Sequence, residues 1–184
     1  MASGWCFKSL AVCLALAATS ARAGVYRTQE EALRDAFPDA DGIVAKSYVL
    51  DDAQAQRVRA LAETDLDRRI WTVQTAQRGA KLLGYAVLDV RTVRTMPEAL
   101  LVVLTPDGAV RSVRVLAFHE PTEYQPSERW LEQLDGKRLG PELHLKQGIQ
   151  QIAGATLSSQ SVTRAVRTAL ALYQVLIHPE RAAE

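Results

Sequence analysis

Apolar residues recur along this chain at two spacings, one helical and one alternating, and the switches between them outline its elements. Thr28-Gln29-Glu30-Glu31 has the form of a capping box, predicting a helix that Pro38 closes, and Asp39-Ala40-Asp41-Gly42 then reads as a turn. Ile43 to Leu50 is strand-like, and Asp51 or Asp52 caps a second helix from Ala53 to about Glu63, with Ala55, Val58, Leu61 and Ala62 on one face. Aliphatic and β-branched runs follow at Ile70 to Thr75, Leu82 to Val93 and Ala99 to Leu104. Thr105-Pro106-Asp107-Gly108 then turns the chain into a further run, Ala109 to Phe118.

Helical spacing returns near the end. Ser127 caps a short helix, Glu128 to Leu134, that Gly136 ends. The last helix buries Val162, Ala165, Val166, Ala169, Leu170, Tyr173 and Ile177, and Arg164 and Arg167 are expected towards solvent. Strands in sequence with helices before and after them predict an α+β domain, an antiparallel sheet with helices packed on it. No linker or repeat divides the chain.

The first 23 residues change this picture. Lys8 is their only charge ahead of the apolar run Leu10 to Ala18, and they close on Ala21-Arg22-Ala23, which reads as a secretory leader cut before Gly24. The run is far short of the ~20 apolar residues that span a bilayer, so an exported, soluble, periplasmic protein is expected. Cys6 and Cys13 leave with the leader, so the mature chain has no thiolate for an iron–sulfur cluster or an attached haem. Any redox role then falls to an organic cofactor. Loss of Lys8 and Arg22 leaves 20 basic against 21 acidic residues, a formal charge of −1, which argues against a nucleic-acid partner.

Candidate chemistry concentrates at Ile152-Ala153-Gly154-Ala155-Thr156-Leu157-Ser158-Ser159, just ahead of the last helix. A helix N-terminus offers unbonded N–H groups and the positive end of the helix dipole to a phosphate, and Gly154 and Ala155 are small enough to let one approach. The same residues also describe a loop feeding a helix, with Ser158 or Ser159 as N-cap.

This segment resembles the S/T-G-A-T motif of the FMN-binding domain family, found in flavin subunits of Rnf complexes and of sodium-pumping NADH:quinone oxidoreductase. The resemblance extends through Gly84-Tyr85, the Pro106-Asp107-Gly108 turn, His119-Glu120-Pro121, Trp130-Leu131 and Gly136-Lys137, in the family's order, over roughly residues 79 to 176. It implies an FMN-binding core at 79–178, preceded by N-terminal helices and a strand at 24–78. It also implies FMN as cofactor, esterified through its phosphate to the side-chain oxygen of Thr156 by a flavin transferase of the ApbE type. Two positions depart from the family's pattern for the modified threonine: Gln150 stands where an aspartate is usual, and Ala153 where a serine or threonine is. Pro121-Thr122-Glu123-Tyr124 also replaces the family's Thr-Pro-Gly-Leu-Gly run.

Around Thr156, the expected cofactor contacts are Gly154, Ala155, Leu157, Ser158 and Ser159. His119 and Glu120 either position the flavin ring or form an ordinary hydrogen-bonded pair at a strand end, and Tyr85 and Tyr124 are candidate stacking groups. His144 and His178 lack metal-ligand spacing with each other or with His119, and Trp71 is expected in the core. No Walker loop, G-x-S-x-G or G-x-G-x-x-G occurs. The resemblance thus implies an electron carrier working between membrane or periplasmic redox partners, with no catalytic residue of its own. A small FMN-dependent reductase and a flavin-free adaptor keeping the fold stand as alternatives.

Overall fold

The computed structural model describes residues 24–179, so the leader expected at 1–23 lies outside the described residues. Six strands form one sheet: β1 (Gly24–Val25), β2 (Gly42–Val49), β3 (Ile70–Arg78), β4 (Lys81–Thr92), β5 (Pro97–Leu104) and β6 (Val110–Phe118). Their order is β1-β6-β5-β4-β3-β2, every neighbouring pair antiparallel. Strands β2 to β6 run as a meander, and the short β1 closes the far edge beside Phe118 and Ala117.

Each face of the sheet takes different helices. On one face lies α4 (Thr156–Leu172), with α2 (Asp52–Ala62) beside it. Here Trp71, Val73, Val87, Leu100, Val102 and Leu104 of the sheet meet Val162, Ala165, Val166 and Ala169 of α4 and Ala55, Val58 and Ala62 of α2. The opposite face carries the smaller α1 (Gln29–Ala36), whose Ala32, Leu33 and Ala36 cover Ala76, Ala86, Leu101 and Val103. The two-residue period of the strands sorts the residues between these layers, since successive side chains point to opposite faces. The α+β architecture with helices packed on an antiparallel sheet is as the sequence predicts.

Local chemistry sets the element ends. Thr28 and Asp51 each cap their helix in a complete capping box, with Glu31 and Gln54 as the reciprocal partners. Ser127 Oγ accepts the Trp130 N–H to start α3 (Glu128–Leu131), which runs on as a 3-10 turn to Leu134. The β5–β6 turn is fixed from both sides. Gly108 has φ +78, and a Cβ there would lie 2.1 Å from the Tyr173 ring, so only glycine lets the turn lie against that ring. Tyr173 Oη also donates to the Pro106 carbonyl at 2.9 Å.

Two expectations about α4 are corrected. Its N-cap is Ala155, which offers no side-chain hydrogen bond, and Ser158 and Ser159 sit inside the helix, both buried. Arg167 points inward, only 4 % exposed, whereas Arg164 does lie at the surface. The reason is a set of oxygen acceptors brought from distant segments. Arg167 Nε donates to Ala62 O at 2.8 Å and Nη2 to Leu61 O at 3.1 Å, satisfying carbonyls left over at the end of α2. Nη1 donates to Gly140 O at 3.2 Å, and Nη2 also pairs with Glu63 at 2.7 Å. Burial alone pulls the guanidinium's pKa down, and Glu63 opposes that.

Candidate functional site

The N-terminus of α4 is reached through a strap anchored on α3. Trp130 Nε1 donates to the Gln150 carbonyl and the Gln150 N–H donates to Gln133 Oε1, each at 2.7 Å. The chain then turns at Ile152 to Ala155, where the Ala155 N–H bonds Ile152 O at 3.1 Å and Gly154 adopts φ +79. Nothing lies within 4 Å of the position a Cβ would take on Gly154. Ser159 ties the turn to the helix: its Oγ accepts from Ile152 N and donates to Ala155 O, both at 3.0 Å.

Because Ala155 has no capping side chain, no side chain competes for the N–H groups at the start of the first turn. The helix dipole adds positive potential at the same point. Thr156 is the first helical residue and is half-buried, and its Oγ1 accepts from Gln151 Nε2 at 2.5 Å. The hydroxyl's own proton is therefore directed away from Gln151. Gly154 and Leu157 are exposed on either side, while Ala155, Ser158 and Ser159 are buried. An open, uncapped helix end with a hydroxyl at its first position suits a phosphate group or a phosphoester.

The other expected site residues divide between the two ends of the molecule. His119 continues from β6, its N–H donating to Pro97 O at 3.2 Å and its Nδ1 lying 3.1 Å from the same oxygen. Glu120 is a loop anchor. Its Oε1 accepts from the N–H groups of Arg94, Thr95 and Met96 at 3.3, 2.8 and 3.0 Å, which fixes the β4–β5 connection and holds the carboxyl below its usual pKa. The pairing of His119 with Glu120 thus gives way to separate bonds with two segments. Tyr124 lies under the Arg94 guanidinium, 5.5 Å from ring centre to Cζ. These three stand at the same end of the sheet as Thr156.

Tyr85 does not join them. It is buried between β3 and β5, edge-on to Tyr173 at 5.6 Å, and so belongs to the core beyond the far end of α4. Its strand parity points it under α4 at the wrong end for a ring linked to Thr156, so the stacking role expected for it is corrected. Trp71 is in the core, with the Arg68 guanidinium 3.8 Å above its ring. His144 Nε2 lies 3.4 Å from Glu63, and among the described residues no three His, Cys, Asp or Glu side chains group as a metal site would need.

Sequence reasoning missed a set of buried charges under the first turns of α4. Asp89 on β4 is 1 % exposed and pairs with Arg91, and with Arg68 at 3.1 Å. Glu98, opposite Arg91 in the register, is fully buried; its Oε2 accepts from Ser161 Oγ at 2.7 Å and its Oε1 has no partner. Burial raises the Glu98 pKa to about 7, with Ser161 and Arg91 opposing. Above this cluster, an open groove of about 500 Å³ runs between Arg91 to Val93, the α2–β3 loop and Leu157, Gln160, Ser161 and Arg164 of α4. The sequence did hold a sign of them: Asp89 and Glu98 share the strand parity of Val87 and Leu100, which face the core.

Comparison with known families bears directly on the α4 end. Residues 97–171 match the FMN-binding domain family. The matched stretch takes in β5, β6, α3, the strap and nearly all of α4, with Thr156 inside it. It indicates FMN as the cofactor. No curated protein matches the chain. The residues present fit the phosphate of that cofactor, because Gly154 leaves open space beside an uncapped helix end and Thr156 offers a hydroxyl there. No helix among the described residues is long and apolar enough to cross a membrane.

Proposed function

We propose that this protein is an exported electron carrier that holds FMN through a phosphoester between Thr156 Oγ1 and the flavin's phosphate. The observation that carries the reading is the uncapped start of α4, where Thr156 is the first residue of a helix that lies inside the FMN-binding domain match. Thr156 would supply the ester oxygen, and main-chain N–H groups of the first turn would hydrogen-bond the phosphate. Gly154 would leave room for it, and Gln151 would orient the threonine oxygen from its second side. When bound, FMN supplies the capacity to accept two electrons and pass them on singly. Residues 1–23 are read as the export leader, a flavin transferase as the maturation partner, and a periplasmic or membrane protein as the redox partner.

The groove beside α4 favours one further reading, a small FMN-dependent reductase, because such an enzyme needs an open cavity for substrate and this one has about 500 Å³. Turnover separates the two. A carrier is reduced by dithionite but does not oxidise NADH steadily with small soluble acceptors, whereas a reductase does.

Attachment is tested by co-expressing the full chain with a flavin transferase and reading flavin fluorescence in a denaturing gel. Wild type is expected to fluoresce and Thr156→Ala to be dark. Fluorescence in Thr156→Ala would remove the site assignment. A dark wild type would point to non-covalent FMN or to a flavin-free adaptor, with Gln150 and Ala153 the first positions to restore to the family's pattern.

A further inference from the structure

Among the described residues, Glu98 is the fully buried acid beneath the first turns of α4 that has no hydrogen-bonded basic partner. Arg91, its register neighbour, bonds Asp89 through Nη2 and leaves its buried Nε without an acceptor, and Arg68 bonds Asp89 from the segment before β3. Glu98 is left with a single bond, from Ser161 Oγ, and with an oxygen that meets no donor. An ionised carboxylate in that position would have one lone-pair site satisfied and little solvent, which is costly, whereas the protonated acid loses much less. Ser161 connects this interior group to the outside, since the same residue lines the open groove.

We propose that Glu98 is a proton-exchanging site linked to the N-terminus of α4, taking up a proton from solvent by way of Ser161 and the groove when negative charge is placed at Thr156. Thr156 and Ser161 are five residues apart on one helix, about 7.5 Å along its axis. At an effective dielectric constant of about 20, one charge about 10 Å away shifts a carboxyl by on the order of one pH unit. The proton comes from water and returns to it, and no electron moves in this step.

The charges around Glu98 leave it as the responsive member. On β4, Arg91 favours its ionised form and Asp89 disfavours it. On β6 its register partner is Phe118, which carries no charge. On α4 the nearest charged side chain along the groove is the exposed Arg164. Across the groove, Glu63 is held by Arg167, while Asp65 and Asp67 stand in the α2–β3 loop, Asp67 3.6 Å from Arg68. In the flavin-free protein, burial outweighs Arg91 and Ser161 and brings the Glu98 pKa to about 7, within the range where a nearby anion changes its occupancy.

The inference rests on the flavin reading only for the source of the charge at Thr156. The test is infrared titration of the carboxylic C=O stretch, first on flavin-free protein expressed without transferase, then on flavin-loaded protein. Flavin-free wild type should lose one buried-acid band as pH rises through about 7. Glu98→Gln should lack that band. Ser161→Ala, which removes the bond favouring the ionised form, should move the midpoint upward. Loading with flavin should also move it upward, by about one pH unit. A band insensitive to pH between 5 and 9, or one that persists in Glu98→Gln, would overturn the assignment. An unchanged midpoint on loading would overturn the linkage. Failure of the flavin to attach leaves the flavin-free arm intact, and there phosphate added as a soluble anion replaces the loaded protein: an upward midpoint supports the linkage, and a fixed one refutes it.

Discussion

Trp130 Nε1 lies 2.7 Å from the main-chain oxygen of Gln150, so an indole on α3 holds the strap that delivers Thr156 to the start of α4. The Gln150 side chain is exposed, and position 150 is fastened through its backbone, with Gln133 taking the N–H. Replacing Trp130 with Phe keeps an aromatic ring, though a smaller one, and removes the donor. The expected cost in urea unfolding is about 1 kcal/mol for the hydrogen bond, plus the packing the smaller ring gives up against the core. The more telling result would be slower flavin loading than wild type at equal protein, followed by in-gel fluorescence over the time of co-expression. Loading at the wild-type rate would mean that the strap is held without the indole.

Arg167 gives the largest expected effect on stability. It is buried, and it joins the end of α2 to α4 and to the segment around Gly140 through carbonyl acceptors, with Glu63 as its charge partner. Arg167→Met leaves those buried carbonyls without a donor and Glu63 with only His144 beside it, a loss of about 3 kcal/mol or more that comes from the carbonyls. Urea unfolding should show a lower midpoint with an unchanged slope. Arg167→Lys should recover only part of the loss, because one ammonium cannot reach the spread of acceptors that the planar guanidinium serves.

The contrast between Arg167 and Arg164 shows what the sequence can and cannot disclose. Both were expected at the surface because both are charged, and nothing near them in sequence says otherwise. The acceptors that allow Arg167 inside lie at 61 to 63 and at 140, and only the packing of α2 against α4 brings them together. Helix starts at Thr28, Asp51 and Ser127 were legible because a cap is a local event. Strands β2 to β6 were legible from their aliphatic runs, to within a few residues at their ends, whereas the two-residue β1 was not. Thr156 at a helix start was legible in the same way. Tyr85 was not, since a tyrosine on a strand carries no mark of which end of the covering helix it will meet. Glu98 and Asp89 were half-legible: their parity placed them with the core residues, but their partners come from Ser161 and Arg68, far along the chain.

Ser159 separates a helix cap from a turn brace. As a lost cap its removal would cost about 1 kcal/mol at most in this setting. In the structure its hydroxyl is fully buried and serves Ile152 N and Ala155 O together, so Ser159→Ala strands a partly buried N–H. The expected cost is about 1 to 3 kcal/mol. Ser158→Ala, on the same turn, should cost no more than about 1 kcal/mol. Denaturant unfolding of the two variants side by side decides the matter. Equal, small losses would mean that the turn from Ile152 to Ala155 holds without the brace.

Two glutamates at the same end of the sheet should bend the pH dependence of stability in opposite directions. Glu98 has its pKa raised by burial to about 7 in the folded protein, against about 4.5 when exposed. The folded state therefore holds that proton more tightly, and the contribution is fully present below about pH 4.5 and is lost as pH rises through about 7. A shift of this size is worth on the order of 3 kcal/mol across the window. Glu120 has its pKa lowered by the N–H groups of Thr95, Met96 and Arg94. Its contribution is present above the unfolded value and is lost as pH falls through the folded one. Urea midpoints measured from pH 3 to pH 9 should therefore decline towards both extremes in wild type. Glu98→Gln should flatten the alkaline side, between about pH 4.5 and 7, and leave the acid side unchanged. Glu120→Gln should do the reverse, and should speed amide exchange at Thr95 and Met96, whose N–H groups lose a charged acceptor. A Glu98→Gln curve parallel to wild type from pH 4 to pH 8 would show that this carboxyl titrates in the folded protein as it does in the unfolded chain.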